Sequence, residues 1–368
     1  MDIIFRVDSS YEIGTGHVMR CLTLANELKN RGAKVSFICR DLPGNLANYI
    51  SDKGYHVFLL PFHTKEHQVM TSKSDRPYAA WLQVGWKTDA METAQILMEL
   101  APVDCLIIDH YAIDLNWEGF LENNVKKIVV IDDLADRPHQ CSILIDQNSS
   151  YEEDRYNELV PKSCVKLLGT SYALLRPEFR SAKKQLTRRD GRINRILVFF
   201  GGTDPTKETL KTLKALSNHH FSSLHIDVVV GETNKNKDVI QQLCQETPNT
   251  FFHYQINYMA ELMRKADFSI GAGGSSTWER CYLGLPTLSI VTAENQMEIT
   301  KLLHDKGATS CLGVSAKVSP KMIEHSINTM LANPSKVKEM SKKALNLMGE
   351  DKFNEVIEVI MGGENGTH

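Results

Sequence analysis

The feature of this sequence that most constrains its fold is the regular alternation of short β-branched runs with segments of helical period. In the first half, helical patterns over 17–32, 45–54 and 92–100 lie between successive strand-like runs. These runs are IIFRVD (3–8), KVSFICR (34–40), HVFLLP (56–61), CLIID (105–109), KKIVVIDD (126–133) and ILID (143–146). Strands that alternate with helices require right-handed crossovers, so this half predicts a mostly parallel sheet.

The alternation stops and then restarts, which predicts two domains. Residues 151–191 break the pattern, and the charged stretch SAKKQLTRRDGR (181–192) is typical of a connection between domains. Strand-like runs then return at 195–202, 225–231, 250–254, 267–274 and 286–291, with helices between them and to the end. A chain of 368 residues exceeds one ordinary domain. We therefore predict an α/β protein with a doubly wound N-terminal domain (1–155), a connecting region (156–192) and a doubly wound C-terminal domain (193–368).

Composition restricts the class of partner. A charged fraction of 24% with a formal net charge of −3 offers no basic surface for nucleic acid. The start MDIIFRVDSS resembles no export signal, and no apolar run is long enough to span a membrane. The eight cysteines occur singly, without a CxxC pair, which favours reduced thiols in the cytoplasm over disulfides or zinc. The sequence therefore predicts a cytoplasmic protein that acts on a small molecule.

The stretch 62–90 interrupts the alternation without a clear period. An irregular insertion of this length is typical of either a binding loop or disorder. His63 and His67 lie four residues apart, a spacing that suits a metal only on a helix.

Three glycine-rich loops follow predicted strands and open predicted helices, where unpaired amides attract anions. They are Gly14-Thr15-Gly16-His17, Gly201-Gly202-Thr203-Asp204 and Gly271-Ala272-Gly273-Gly274-Ser275-Ser276. Met19 stands where a dinucleotide fingerprint requires its third glycine, and no Walker spacing occurs. The loops therefore predict a phosphate-bearing ligand between the domains, bound by Gly14 and Gly16 on one side and Gly202 and Thr203 on the other. Arg20, which follows the first loop, is a further candidate for substrate binding.

The stretch 257–286 has the order of a nucleotide pocket: helix, strand, small-residue turn, helix. Amides and hydroxyls of Gly274, Ser275 and Ser276 suit phosphate oxygens, and Glu279 suits a ribose diol. The alternative is a structural role without a ligand, because Ser275 or Ser276 is equally suited to cap the helix with Glu279 as its capping-box partner.

Several motifs together resemble one known family. They are DSS (8–10), IGTGHVMRC (13–21), IIDHY (107–111), IDDLADRPHQC (131–141), LLGTSYALLRPEF (167–179), FFGGTDP (199–205) and AGGSSTWE (272–279). The chain resembles, from residue 3 to about 310, the UDP-2,4-diacetamido-2,4,6-trideoxy-β-L-altropyranose hydrolases of pseudaminic acid biosynthesis, which serves flagellar or surface glycans. The resemblance implies a UDP-sugar hydrolase that cleaves the C–O bond with inversion, without metal or cofactor.

That family is related to the GT-B glycosyltransferases, whose C-terminal domain holds UDP. The relation implies a GT-B-like fold in which the backbone beside Ile256 meets uracil, the loop Gly273–Ser276 meets the pyrophosphate and Glu279 meets the ribose. By the same relation, Asn295 and Gln296 would face the sugar or the diphosphate.

The resemblance also implies that His17 is the base that activates water. An imidazole has an ordinary pKa of about 6.5, and a helix N-terminus disfavours its cationic form, so this position suits a proton acceptor. Asp8, at the end of the preceding strand, is a second candidate catalytic residue that would orient the imidazole or the water. Its alternative role is to accept hydrogen bonds from loop amides.

Other polar residues retain two interpretations. His110, Tyr111 and Asn148 follow strands and suit sugar contacts, or hydrogen bonds within their loops. Tyr172 and Arg176 suit substrate binding, or the junction between the domains. Asp132 and Asp133 follow a strand, where a metal site is the alternative to pairing with Arg137 or His139. We expect no metal.

Three other functions remain open from the sequence. The same fold serves UDP-sugar glycosyltransferases and UDP-sugar 2-epimerases, and a nucleotide-sugar binding subunit could lack chemistry altogether. The sequence does not predict the oligomeric state.

Overall fold

The computed structural model describes residues 1–63, 78–148 and 154–362 of the chain. It divides into two compact units. The first comprises Met1–Leu174 together with the segment that begins at Asp351, and the second comprises Leu175–Glu350. The predicted fold class is confirmed, since each unit is built on one parallel sheet flanked by helices.

The strands run through both units. They are β1 Asp2–Val7, β2 Lys34–Arg40, β3 His56–Leu60, β4 Cys105–Asp109, β5 Ile128–Ile131, β6 Ile143–Asp146, β7 Val165–Leu168, β8 Arg195–Phe199, β9 His225–Val230, β10 Thr250–Tyr254, β11 Phe268–Ala272, β12 Thr287–Val291 and β13 Thr309–Val314.

The helices follow most of these strands. They are α1 Gly16–Asn30, α2 Ala47–Asp52, α3 Trp86–Leu100, α4 Leu115–Leu121, α5 Pro177–Lys184, α6 Glu208–Leu216, α7 Lys237–Glu246, α8 Met259–Lys265, α9 Ser276–Tyr282, α10 Met297–Asp305, α11 Pro320–Leu331, α12 Pro334–Met348 and α13 Phe353–Met361. Within the described residues, no helix is long and apolar enough to cross a membrane.

The first sheet has the strand order β3-β2-β1-β4-β5-β6-β7. Both faces of β1 are buried, because Ile3 and Phe5 pack with α1 while Ile4 packs on the opposite face with α3 and α4. The strand order reverses between β1 and β4, and the pairing places Val7 opposite Asp109. The loops after β1 and β4 therefore lie side by side at the edge where open α/β sheets bind ligands.

The second sheet has the order β10-β9-β8-β11-β12-β13. Its order reverses between β8 and β11, and Phe199, the last residue of β8, pairs with Gly271. The glycine-rich loops after these two strands are therefore neighbours within this unit. All five residues of β11 are buried, as expected of a central parallel strand.

The units differ from the predicted domain boundaries in two places. The predicted connecting region 156–192 contains β7, the last strand of the first sheet, and α5, which belongs to the second unit. The predicted C-terminal domain (193–368) extends too far, because α13 belongs to the first unit. Its residues Val356, Ile357 and Ile360 pack into the core of that unit. The C-terminal stretch was also expected to be purely helical, whereas β13 extends the second sheet.

The cysteines and the insertion are partly as expected. All eight cysteines are free thiols, and only Cys311 is not fully buried.

In the insertion, Ala79–Leu82 forms a short 3-10 helix and α3 begins at Trp86. His67 lies outside the described residues, whereas His63 pairs with Glu92, their Nε2 and Oε1 atoms 2.7 Å apart.

Candidate active site

The loop after β1 closes on itself before α1 begins. The Gly14 amide donates to the carbonyl of Ser10 at 2.9 Å, and the Ser10 hydroxyl accepts from the Ile13 amide at 3.0 Å. Gly14 has φ +81°, a backbone conformation that favours glycine. Thr15 precedes the helix, and its side chain makes no capping hydrogen bond to the first-turn amides. Gly16 is the first residue of α1 and His17 the second.

His17 forms a short hydrogen bond with Asp109, which ends the adjacent strand β4. Nδ1 of His17 lies 2.6 Å from Oδ1 of Asp109. A carboxylate only accepts hydrogen bonds, so the Nδ1 atom carries the proton and donates it. This tautomer leaves the lone pair on Nε2. The His17 side chain is 8% exposed and that of Asp109 is fully buried. The pair has the geometry of a base with an orienting carboxylate.

Arg20, one turn further along α1, holds the same carboxylate. Its Nε donates to Oδ2 of Asp109 at 2.6 Å, and a second nitrogen donates to Oδ1 at 2.7 Å. A third nitrogen donates to Asp133 at 2.8 Å. Burial alone would raise the pKa of Asp109, but Arg20 and His17 outweigh it and hold that pKa well below its usual range. Its guanidinium thus pairs with the buried Asp109 and the partly buried Asp133. The expected role of Arg20 in substrate binding stays a prediction.

Aromatic rings surround His17. The Tyr111 ring lies edge-on to the imidazole with centroids 4.6 Å apart, and the Trp81 ring lies 6.0 Å from it. The Tyr111 hydroxyl donates to Asp133 at 2.5 Å. Tyr111 is 6% exposed, so its polar atom is used inside the fold rather than at the surface. The Asp133 carboxylate thus connects Arg20 to the aromatic ring beside His17.

Asp8 lies in a separate buried network. Its Oδ1 accepts from Arg6 at 2.6 Å and from the Arg40 amide at 2.6 Å, and its Oδ2 lies 3.2 Å from Nε2 of His110. The role expected of Asp8 as the orienting partner of His17 is therefore corrected, because Asp109 occupies it. Its alternative role was to accept from loop amides, whereas the amide that donates to it belongs to Arg40, the last residue of β2. A role in placing water stays a prediction.

His110 has both ring nitrogens facing protein groups. Its Nδ1 accepts from the Ala112 amide at 3.2 Å, which puts the proton on Nε2, toward Asp8. The residue is 3% exposed, and burial lowers the pKa of the imidazole despite Asp8. Hydrogen bonding within the loop, one of its two expected roles, therefore describes it better than a sugar contact.

The remaining predicted residues of the first unit lie further along the sheet edge. The Asn148 amide donates to Oδ1 of Asp146 at 2.8 Å, so its backbone shapes the loop after β6. The Tyr172 hydroxyl donates to Glu355 of α13 at 3.1 Å. Tyr172 thus fastens the C-terminal helix to the first unit, which supports its structural interpretation.

Asp132 and Asp133 point to different partners. Asp132 lies 2.8 Å from Arg137, as one of its predicted interpretations required, while Asp133 pairs with Arg20. Within the described residues, no three His, Cys, Asp or Glu side chains are arranged to hold a metal ion. Independence from metal stays a prediction.

In the second unit, the loop after β11 leads directly into α9. Ser275 precedes the helix without a side-chain cap, and the Ser276 hydroxyl accepts from Arg280 at 3.0 Å. The capping alternative is therefore not what forms, because neither serine caps the helix and Glu279 has another partner. A Cβ on Gly273 would lie 2.0 Å from the hydroxyl oxygen of Thr300. Only glycine fits there, which brings this backbone and the first turn of α9 close to α10.

Glu279 pairs with Arg176. Its Oε1 accepts from Nε and from a terminal nitrogen of Arg176 at 3.2 and 3.1 Å. Burial raises the pKa of Glu279, and Arg176 offsets part of that effect. Arg176, expected either at a junction or in binding, therefore acts on the residue predicted to hold the ribose.

Gln296 and Asn295 lie in the turn before α10. The Gln296 side-chain oxygen accepts from the Thr292 amide at 3.1 Å. A Cβ on Gly274 would lie 3.6 Å from the side-chain nitrogen of Gln296. This amide group therefore flanks the glycine loop, and its expected contact with the sugar or the diphosphate stays a prediction. Asn295 and Ile256 are both partly exposed, and Ile256 follows β10 at the same edge of the sheet.

The loop after β8 differs from its prediction. α6 begins only at Glu208, and the Asp204 carboxylate accepts from the amides of Glu208 and Thr209, both at 2.9 Å. Asp204 thus caps the helix, so those amides are not available to a phosphate. Gly202 packs closely against Gly231, because a Cβ atom on Gly231 would lie only 2.6 Å from the Cα atom of Gly202. Gly202 and Thr203 remain partly exposed at the sheet edge.

Sequence reasoning missed two residues beside His17, Asp109 and Trp81, and gave Asp133 other partners than Arg20. The signal for Asp109 was present, because an acid that ends a buried strand next to β1 lies at the ligand-binding edge. The pairing of Asp109 with His17 could not be predicted, because 92 residues separate the two in the sequence.

Comparison with known proteins gives a family match for the later part of the chain. Residues 196–359 match the glycosyltransferase family 28 C-terminal domain. This range begins in β8 and ends in α13.

Two curated relatives match over most of the chain. The UDP-2,4-diacetamido-2,4,6-trideoxy-β-L-altropyranose hydrolase of Campylobacter jejuni is 27% identical over 83% of this chain and 97% of its own length. The spore coat polysaccharide biosynthesis protein SpsG of Bacillus subtilis is 25% identical over 89% of this chain and 88% of its own.

Solved structures share the fold. MurG of Acinetobacter baumannii is 17% identical and superposes with a TM-score of 0.61 over 98% of this chain and 99% of its own. The chain therefore has the GT-B-like architecture of this structure, matches the glycosyltransferase family 28 C-terminal domain over residues 196–359, and is similar over most of its length to the UDP-2,4-diacetamido-2,4,6-trideoxy-β-L-altropyranose hydrolase.

Proposed function

We propose that this chain hydrolyses a UDP-sugar, with water attacking the anomeric carbon and UDP leaving. The comparisons support the general class, an enzyme of GT-B type that processes nucleotide sugars. Similarity to the Campylobacter jejuni hydrolase supports the finer assignment, and its substrate, UDP-2,4-diacetamido-2,4,6-trideoxy-β-L-altropyranose, is the proposed substrate here.

The observation that carries the proposal is the His17–Asp109 hydrogen bond. In the mechanism, Nε2 of His17 accepts a proton from water while Asp109 fixes the tautomer and stabilises the imidazolium that forms. The water oxygen bonds to the anomeric carbon from the face opposite UDP, the C–O bond to UDP breaks, and the configuration inverts. The proton ends on His17 and is returned to solvent.

The second unit supplies the nucleotide site in this proposal. Amides at the start of α9 and the Ser275 and Ser276 hydroxyls take the diphosphate oxygens, and the Glu279 carboxylate accepts from the ribose hydroxyls. Two features support this division. The first turn of α9 lacks a side-chain cap, and Gly273 lets the backbone approach closely. The developing charge on UDP is stabilised by these donors.

A UDP-sugar glycosyltransferase is the second candidate. The match of residues 196–359 to the glycosyltransferase family 28 C-terminal domain favours it. It would require an acceptor hydroxyl in place of water at the same base.

The test is UDP release from the proposed substrate without any acceptor. We expect steady turnover by the wild-type protein and a loss of at least about 10³-fold in kcat for His17→Asn, with UDP affinity unchanged. Turnover that appears only when an acceptor is added would favour the transferase. Equal turnover by wild type and His17→Asn would contradict the assignment of His17 as the base.

A further inference from the structure

The described end of the insertion has no role in the mechanism above, yet it lies beside the base. Leu82 and Val84 are 2% and 5% exposed, so they anchor the short 3-10 helix Ala79–Leu82 in the core of the first unit. The start of the insertion is also fixed, because Arg40 donates to the Pro61 carbonyl at 2.6 Å.

Trp81 is the centre of an aromatic cluster around His17. Its ring centroid lies 4.9 Å from Tyr78, 5.5 Å from Tyr111 and 6.0 Å from His17. The Tyr111 ring is nearly parallel to the indole, at 25°, whereas the imidazole is nearly perpendicular at 80°. The indole is thus held in one orientation by several neighbours.

The two rings that flank His17 differ in what they offer a ligand. Tyr111 is 6% exposed and its hydroxyl is bonded to Asp133. Trp81 is only partly buried. A sugar with its anomeric carbon near a water on Nε2 would be wide enough to lie over the neighbouring indole. Trp81 therefore supplies the apolar surface beside the reacting atoms.

We propose that Trp81 binds the sugar of the nucleotide sugar and selects sugars with apolar substituents. This inference rests on the proposed function, because it assumes that the sugar reaches His17. An indole face carries partial negative charge and attracts C–H groups. Methyl groups of acetamido or 6-deoxy positions bury apolar area on it, whereas a fully hydroxylated hexose would leave hydroxyls without partners there.

The first test is a comparison of substitutions at Trp81. We expect Trp81→Leu to raise KM for the diacetamido substrate about tenfold, with kcat within about threefold, and Trp81→Phe to keep most of the affinity. Affinity for UDP alone should not change. Trp86→Leu is the matched control, because Trp86 is an exposed tryptophan at the start of α3. An unchanged KM in Trp81→Leu, or an equal loss of UDP affinity, would overturn the inference.

The second test does not depend on turnover. In the His17→Asn background, tryptophan fluorescence should respond to the diacetamido UDP-sugar more than to UDP or UDP-glucose, and Trp81→Phe should remove that difference. If the response depends on Trp81 while the wild type never releases UDP, this inference stands and the proposed hydrolysis fails. If the wild type turns over but neither KM nor fluorescence depends on Trp81, hydrolysis stands and this inference fails.

Discussion

At the residue scale, the proposed chemistry depends on which nitrogen of His17 carries a proton. The 2.6 Å contact with Asp109 assigns it to Nδ1. The second close neighbour of that nitrogen, a guanidinium nitrogen of Arg20 at 3.3 Å, cannot accept a hydrogen bond and therefore cannot replace the carboxylate. Asp109 is thus the residue that keeps Nε2 able to accept a proton.

This argument predicts the effect of Asp109→Asn. The amide can present its NH₂ group to Nδ1, which would move the proton to Nε2 and remove the base. We expect kcat for UDP release to fall about 10²- to 10⁴-fold with little change in KM. Steady-state kinetics across pH measures this. Asp104→Asn is the control, because Asp104 lies on the same unit and pairs with surface Lys126. A kcat within about threefold of wild type would contradict the orienting role.

A second residue-scale prediction concerns Glu279. If this carboxylate accepts from the ribose, Glu279→Gln should weaken UDP binding about tenfold, since a hydrogen bond to a charged group is worth about 1.5–3 kcal/mol. Calorimetric titration with UDP measures the loss. Glu178→Gln is the matched control, because Glu178 contacts the same Arg176 at 2.8 Å but is more exposed. Equal affinities of wild type and Glu279→Gln would contradict the ribose assignment.

The residues around His17 show what a sequence can reveal about a site. The place of His17 at the start of a helix was predictable from the glycine turn before it, while its role as the base comes from the resemblance and stays a prediction. The pairing of Asp109 and Arg20 was not predictable, because it depends on the register that sets Val7 opposite Asp109. Asp8 was misassigned for a related reason. It is close in sequence to His17, but its side chain turns toward Arg6, with which it forms a 2.6 Å ion pair.

At the scale of elements, the C-terminal helix α13 stabilises the first unit although it is encoded after the second. Val356, Ile357 and Ile360 are fully buried in the same cluster as α1. Lys127 adds a polar contact, since its ammonium donates to the Ile360 carbonyl at 3.0 Å. The helix therefore closes the core over the middle of the first sheet.

This packing predicts a large cost for truncating Ile360. Ile360→Ala should lower the free energy of unfolding by about 2–5 kcal/mol, because it removes buried methyl groups and leaves a cavity. Urea unfolding followed by circular dichroism measures it. Glu358→Ala on the exposed face of α13 should change stability by less than about 0.5 kcal/mol. Equal effects of the two substitutions would contradict the packing.

The turn after β5 makes stability depend on pH. Burial alone would raise the pKa of Asp132, but Arg137 and His139 outweigh it and lower that pKa to about 2. A carboxyl with a lowered pKa stabilises the folded state above its unfolded value of about 3.9, and this stabilisation is lost as pH falls toward 2. We expect Asp132 to contribute on the order of 2 kcal/mol to that loss.

The corresponding measurement is urea unfolding at pH 5 and pH 3 for wild type and Asp132→Asn. The variant should be less stable at pH 5 but should lose less stability between the two pH values. Identical losses would contradict a lowered pKa at this residue.

Most helices and strands were predictable from the sequence. Strands β7 and β13, and the packing of α13 against the first unit, were not. β1, β4 and β11 are apolar runs whose burial on both faces follows from their composition. β7 and β13 are partly exposed edge strands, and their short or glycine-containing sequences carry a weak pattern. The return of α13 to the first unit depends on tertiary packing, and its helical period alone gives no indication of its partner.

At the scale of the whole molecule, the two units repeat one arrangement. In each, a loop that follows a central strand opens a helix at the point where the strand order reverses. The first unit has at this position a histidine that is hydrogen-bonded to a buried carboxylate, and the second has a helix start without a side-chain cap after a glycine loop. Our account assigns water activation to the first unit and UDP binding to the second.

The most direct test of this account is mass spectrometry of the products formed from the diacetamido UDP-sugar in heavy-oxygen water, without acceptor. Attack by water at the anomeric carbon predicts one heavy oxygen in the free sugar and none in UDP. Heavy oxygen in the nucleotide would show cleavage at phosphorus, and the absence of free sugar would show that water is not the acceptor. Either result would contradict hydrolysis by the His17–Asp109 pair.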